Sequence, residues 1–203
     1  MGRRSRQALL GPEHTELDLV RAELDLGRNC DYLFCVVGPQ VPYTKGTTVF
    51  ESEVYTSEYL EFHRPSEHFV SSKQFDLELQ VYHVHQTDPS KRLVVVVMFV
   101  LGSFDNSFLE ELDFTDLPGR AGDSKSLSAP FNPEHGMPMS GEYYVYDGSL
   151  TAPPCTEGVK FVVLNERPYA SGKQVFMTLS LQPLSPTLYS HLARIYTVYL
   201  PNR

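Results

Sequence analysis

The chain has no tryptophan, only three cysteines and no long apolar run among its 203 residues. Each scarcity excludes something. Three cysteines make a poor disulfide framework, because one must stay unpaired within the chain. The run Leu93–Leu101 is nine residues long, well short of the ~20 that a membrane-spanning helix needs, and reads as a buried strand. Positive charge is also scarce: 17 Lys and Arg against 25 Asp and Glu give a net charge of −8. That balance argues against nucleic acid or another polyanion as the main partner. No apolar core of a secretory signal peptide is visible. The N-myristoylation pattern fails, because Arg6 stands where Ser or Thr is required.

What is abundant points to strands and turns. With 12 Phe, 12 Tyr, 15 Pro and 13 Gly, the chain reads as β-rich and broken by many turns. Its length suits one domain with a sizeable core. Residues 1–12, MGRRSRQALLGP, are basic and contain no acid. They read as a solvated tail, a presequence remnant or a gene-model artefact, so residues 1–14 are set apart as a tail and 15–203 as a single domain. The Arg-rich start gives an organelle such as the mitochondrion some weight against the secretory pathway, and the compartment stays open.

Residues 15–26 fit a helix or a strand equally. Strands are expected at Tyr32–Val37, ended by Gly38-Pro39, weakly at Val49–Tyr55, and at Tyr59–His63, ended by Arg64-Pro65. Phe75–His85 alternates, with Phe75, Leu77, Leu79 and Val81 on one side and Asp76, Glu78, Gln80 and Tyr82 on the other. The run Leu93–Leu101 is apolar on both faces and belongs in the middle of a sheet. Residues 103–113 suggest a short helix capped by Asp105 or Asn106. Residues 115–141 read as a long loop, Lys160–Leu164 and Gln174–Leu181 as strands, and 188–200 as an apolar, mixed stretch. No internal repeat is present.

The stretch that organises the chain is Tyr144–Leu164, YVYDGSLTAPPCTEGVKFVVL. Asp147-Gly148 suggests a turn. Pro153-Pro154 then stiffens the loop that presents Thr151, because neither proline donates a backbone hydrogen bond and both hold φ near one value. This run closely resembles the gatekeeper loop of the α-class carbonic anhydrases, Y-x-G-S-L-T-T-P-P-C-x-E-x-V. A second stretch, Leu60–His85, LEFHRPSEHFVSSKQFDLELQVYHVH, resembles the same family's zinc-site strands, F-H-F-H-T-P-S-E-H followed by E-x-H-x-V-H. Pro65-Ser66-Glu67-His68 and Glu78 anchor that match, and the resemblance spans roughly residues 50–182. The family's N-terminal part, with its proton-shuttle His, has no clear counterpart.

The resemblance implies a mainly β (α+β) fold: a twisted, mostly antiparallel central sheet with short helices around it. It also implies a site. In an active member three imidazoles hold zinc, whose bound water loses a proton near pH 7 and attacks CO2. Those three positions fall here on Glu61, His63 and Gln80, so a single imidazole is left. A carboxylate can ligate zinc, whereas a neutral amide oxygen is a poor ligand for it. No cofactor is therefore expected, with zinc held by Glu61, His63 and Gln80 as the alternative. A slipped register that puts His83 and His85 in the site would strip Glu67 and Glu78 of their partners and need a bulge.

Around these positions the family pattern persists. Thr151 matches the gatekeeper threonine, and Glu67 the carboxylate that receives its proton. Glu78 matches the carboxylate that orients the third ligand, and would face an amide here. His83 matches a buried structural histidine, while His85 falls at the strand end. Tyr82 replaces a small aliphatic residue of the CO2 pocket and would partly fill it, with Phe161 and Leu150 on the same wall. Cys155 matches a cysteine that secreted members pair with an N-terminal one; Cys30 and Cys35 are possible partners, and a buried free thiol is the preferred reading. The expected function is a structural or interaction subunit without hydratase activity, bound to protein partners in a larger assembly, a membrane-associated one included. Two other readings compete: an atypical hydratase, and a ligand-binding or adhesion module for an anion or a saccharide.

Overall fold

The computed structural model describes residues 3–5, 23–25, 40–42, 46–117, 124–136, 138, 141–152, 154–177 and 198–200. Fourteen strands lie among the described residues. They are β1 (Arg3–Ser5), β2 (Glu23–Asp25), β3 (Gln40–Pro42), β4 (Thr47–Phe50), β5 (Glu53–His63), β6 (His68–Val70) and β7 (Lys73–Gln74). After them come β8 (Leu77–His85), β9 (Arg92–Gly102), β10 (Ser124–Ser126), β11 (Glu142–Ser149), β12 (Glu157–Leu164), β13 (Tyr169–Ser171) and β14 (Val198–Leu200). Two short helices accompany them, α1 (Ser107–Glu111) and α2 (Gly172–Met177).

Eleven strands... form one mixed sheet in the order β1-β11-β12-β9-β8-β5-β3-β2-β10, with β4 added on β5 and β13 on β9. Its pairs are antiparallel except β12 and β13, which both run parallel to β9. A small second sheet, β14-β6-β7, stands beside it. This is the mainly β, mostly antiparallel architecture expected from the sequence, with β9 flanked by β8 and β12 and buried from Leu93 to Phe99.

Residue parity divides the sheet into two faces. One packs Leu60, Phe62, Leu77, Leu79, Val81, Leu93, Val95, Val97 and Val162 into a large core with Phe108, Phe114 and Phe131. The other gathers Tyr82, Val94, Val96, Met98, Tyr144, Phe161 and Val163, with Tyr59, Tyr146 and Leu150 half-buried against them. The candidate site grows out of this second face. The β4–β5 hairpin turns on Glu51 and Ser52, whose φ values of 51° and 68° match the twist of two-residue hairpins. Asn106, one of the two residues expected to cap α1, does so: its side chain accepts from the Phe108 and Leu109 amides.

Several expectations need correction. Gly172–Met177 is a helix where a strand beginning at Gln174 was expected. The reason is a reciprocal cap in the sequence Ser171-Gly172-Lys173-Gln174. Ser171 Oγ accepts from the Gln174 amide at 3.3 Å, and Gln174 Oε1 accepts from the Ser171 amide at 3.2 Å. Asp147 and Gly148 belong to β11 and not to a turn; the chain reverses after Leu150, whose amide donates to the Thr156 carbonyl. Gly148 is needed there because a Cβ would come within 2.8 Å of the Tyr146 ring. Phe75 precedes β8 and packs in the second cluster, opposite to the side its alternation suggested. The stretch 115–141, read as loop, contains β10 and a 3-10 turn, Pro133–Gly136. Arg3–Ser5, read as part of a solvated tail, pairs with Glu142–Tyr144 of β11. The strand expected at Tyr32–Val37 lies outside the described residues, and so do residues 178–181.

Candidate functional site

Glu61 and His63 are alternate residues of β5, so their side chains leave the same face. The antiparallel β8 sets Gln80 opposite Glu61, Glu78 opposite His63, and Tyr82 opposite Tyr59. The chain then leaves β5 through Arg64-Pro65, a cis peptide, and Glu67 and His68 return over this face. Ser66 fixes that return: its hydroxyl donates to the His68 carbonyl at 2.7 Å and accepts from the Phe75 amide at 2.8 Å. From the far side the loop after β11 brings Thr151. The structure thus gathers Glu61, His63, Glu67, Glu78, Gln80, Tyr82 and Thr151 in one place.

The hydrogen bonds run as a continuous network. Thr151 Oγ1 donates to Glu67, 3.0 and 3.1 Å from its two oxygens. Gln80 Nε2 donates to Glu67 Oε2 at 3.0 Å and to Glu78 Oε1 at 2.7 Å. Gln80 Oε1 accepts from the Tyr82 hydroxyl at 2.6 Å. These partners fix the orientation of the amide, since carboxylates only accept and the phenol must donate. Glu78, fully buried, also accepts from the His68 amide at 2.9 Å and meets His68 Nδ1 at 2.8 Å. His68 Nε2 lies 2.7 Å from the Tyr146 hydroxyl. Tyr82 stacks on Tyr59 with centroids 4.4 Å apart, and Tyr146 on Phe161 at 4.9 Å. Leu150 packs half-buried against this aromatic wall.

Charge is tightly coupled here. Burial opposes protonation of His63, but Glu67 and Glu61, then Glu78, outweigh it and raise the imidazole to about 10. His63 Nε2 lies 3.6 Å from Glu61 and Nδ1 3.6 Å from Glu67, too long for hydrogen bonds, so the pull is one of charge. His63 Nε2 is buried and has no hydrogen-bond partner among the described residues. Burial would raise Glu78, yet His68, through its ring and its amide, and His63 beyond it hold the carboxyl at about 2. Burial, with Glu61 next, pushes the Tyr82 phenol well above its ordinary value, which keeps it a donor. His83 faces away from the site. Burial lowers it to about 4, and its Nε2 sits 3.0 Å from Thr48 Oγ1. His85 stands at the end of β8, where Nδ1 accepts from the Asp88 amide.

Three participants carried no role in the sequence reading. His68 stood only as a motif anchor; Tyr59 and Tyr146 were not singled out. Parity offered a signal, since Tyr59 is two residues from Glu61 on one strand and Tyr146 is opposite Phe161 across another pair. Cys155 corrects a different expectation. It is exposed and free, not buried, because it closes a tight turn onto the Ala152 carbonyl with φ at 56°. Cys30 and Cys35 lie outside the described residues. Among the described residues, no three His, Cys, Asp or Glu side chains converge as a metal-binding group.

The fold is that of the α-carbonic anhydrases. The α-carbonic anhydrase of Photobacterium profundum superposes with a TM-score of 0.68 at 29% identity, over 84% of this chain and 77% of that one. A dioscorin complexed with ascorbate gives 0.67 at 27% identity, over 91% and 74%. Residues 26–185 match the family model of the eukaryotic-type carbonic anhydrases, and the chain belongs to that family. Among curated relatives, dioscorin DB3S of Dioscorea polystachya is 32% identical over 70% of this chain and 56% of its own length. A carbonic anhydrase of Pectobacterium carotovorum is 29% identical over 75% and 65%. The chain thus spans between about half and two thirds of the curated relatives it matches.

Proposed function

We propose that this chain is a carbonic anhydrase-like domain without hydratase activity, acting as a structural or interaction subunit of a larger assembly. The bonding of Gln80 is the observation that supports this most. Its two amide protons are committed to Glu67 and Glu78, and its carbonyl oxygen is taken up by the Tyr82 hydroxyl. To ligate a metal the carbonyl would have to offer its second lone pair while it holds that phenol, and a neutral amide oxygen is a poor ligand for zinc. The remaining donors are one imidazole and one carboxylate, a set that does not fit the family's three-imidazole zinc site. The Tyr82 ring, stacked on Tyr59, fills space on the same face. Thr151, Glu67 and Glu78 do not argue against this reading, because here they satisfy one another and Gln80 and His68, a structural task that needs no metal.

The test is a zinc titration of the full chain, followed by thermal melting and by CO2 hydration. The expected result is neither a rise in melting temperature nor hydration above background; a saturable rise with turnover overturns the reading. One observation favours the second reading, an atypical hydratase built on Glu61, His63 and Gln80. It is the buried His63 Nε2, which faces Glu61 and lacks a hydrogen-bond partner among the described residues. That reading requires His63→Ala to abolish both metal uptake and hydration.

A further inference from the structure

On the face of β8 turned away from the cleft, one buried imidazole links two strands that do not pair with each other. Strand register sets His83 opposite Ser57 of β5 and Leu93 of β9. β4 pairs with β5 on the side away from β8. Ser57 is small and buried, and the His83 ring reaches past it to β4, where Nε2 meets the Thr48 hydroxyl at 3.0 Å. Nδ1 is buried with no hydrogen-bond partner among the described residues.

β4 is lightly held apart from this bond. It pairs along one edge only, and its other edge carries no strand among the described residues. Of its four residues only Phe50 is buried, with its ring against Tyr143 at 6.3 Å. The residue before the strand, Gly46, is clasped by Ser57. The Gly46 amide donates to Ser57 Oγ at 3.0 Å, and its carbonyl accepts from the Ser57 amide at 2.9 Å and hydroxyl at 3.2 Å. Ser57 and His83 face each other across the β5–β8 pair, so one row of side chains fastens the start of β4 to the sheet.

The described groups around the ring supply no counter-charge. Val81 and Leu93 are apolar, and their backbones offset the burial only in part. His85, two residues on along β8, has its own ring against Tyr55 of β5 at 5.1 Å, with Asp88 beyond it. The Tyr55 hydroxyl donates to Glu53, which pairs with Lys91. Arg92 of β9 shares the opposite face and bonds Glu58. β4 brings the neutral Thr48 and, at its turn, the exposed Glu51. An imidazolium donates from both nitrogens. Thr48 accepts one of these protons, but the other is buried without an acceptor and the charge is desolvated. Both costs vanish when the ring meets water. The way out runs past the half-buried Thr48, not through the buried strands β8 and β9.

We infer that His83 is an acid-sensitive clasp, whose protonation frees β4 from the sheet while β9 stays paired, baring the outer edge of β5 over residues 53–56. An edge without its neighbour is open to pairing with another strand, so the device would couple acidity to what this domain can bind.

The test is hydrogen exchange on the full chain from pH 7 to pH 5, corrected for the intrinsic exchange rate. The β4 amides bonded to β5, and the Ser57 amide bonded to Gly46, are expected to open about twentyfold more often at pH 5 than at pH 7. That factor follows from a ring held near 4 when closed and returning to 6.5 when open. At pH 5 they are expected to exchange about tenfold or more faster than Val95–Val97 in the middle of the sheet. His83→Gln offers Thr48 an amide, does not titrate, and is expected to remove the pH dependence. Should that variant fold poorly, the unsubstituted chain still decides, because opening of β4 must approach one proton taken up per event below pH 6. Exchange of β4 at the same rate as Val95–Val97 would mean that the whole domain unfolds, and overturns the proposal. Protection of β4 unchanged down to pH 5, or a pH dependence that survives in His83→Gln, overturns it as well. Zinc content and CO2 hydration report on the opposite face, so the inactive reading stands or falls separately.

Discussion

Glu78 and Gln80 are neighbours on one face of β8, and they teach different things. Glu78 holds His68 by ring and backbone together, and His68 in turn holds Tyr146. That chain of contacts ties β8, β6 and β11, so a buried carboxylate at this position has a structural task whatever occupies the cleft. Gln80, which the family resemblance of the motif sets at a metal-ligand position, has its amide bonded to the surrounding carboxylates and a phenol. On the proposed reading, carboxylates around a metal site outlast the ligands they oriented, because they also satisfy the fold. Their presence is weak support for catalysis; what occupies the ligand positions carries the argument.

The sharpest way to break this comparison is to remove Glu78. Glu78→Ala leaves the buried His68 Nδ1 and amide without their carboxylate and is expected to cost about 3–5 kcal/mol in chemical denaturation, the range for one partner lost from a buried pair. A cost under about 1 kcal/mol would mean that the frame is not structural.

Next comes acid, acting through the opposite face. His83 is held near 4 against an ordinary 6.5 by burial, so folding favours its neutral ring. The stability it contributes is complete above pH 6.5 and is lost as the pH falls toward 4, by roughly 3 kcal/mol. His83→Gln should flatten that part of the stability–pH curve while leaving the cleft network intact.

Smaller effects probe Gln80. Tyr82→Phe keeps the ring stacked on Tyr59 and removes only the hydroxyl that caps Gln80 Oε1. A loss of about 1–2 kcal/mol is expected, as for a buried acceptor left without its donor. Thr151→Val is expected to cost about 1 kcal/mol or less, since Thr151 and Glu67 are both half-buried and water can replace the hydroxyl. If Thr151→Val proved more damaging than Tyr82→Phe, the network would be organised around the gatekeeper loop and not around Gln80.

Much of this was legible in the sequence. Alternation placed Leu77, Leu79 and Val81 on one side of β8 and Glu78, Gln80 and Tyr82 on the other, and the all-apolar run of β9 marked the middle of the sheet. The motif runs brought Glu61, His63, Glu67, Gln80 and Thr151 to one cleft, because strand parity and a proline-stiffened loop are local properties. Other features depended on contacts that no local pattern carries. Gln174 looked like the start of a strand until its cap with Ser171 and its bonds to Asn106 made it the hub of three elements. Phe75 left its alternation because β8 begins only at Leu77. His68 has no roles on its own strand; they come from Glu78 and from Tyr146, which is 78 residues away.

The most direct measurement is the metal content of the purified full chain, taken beside its CO2 hydration rate and repeated with His63→Ala. The account predicts substoichiometric zinc, background hydration, and no change in either on substitution. One zinc per chain with measurable hydration, both lost in His63→Ala, would contradict it.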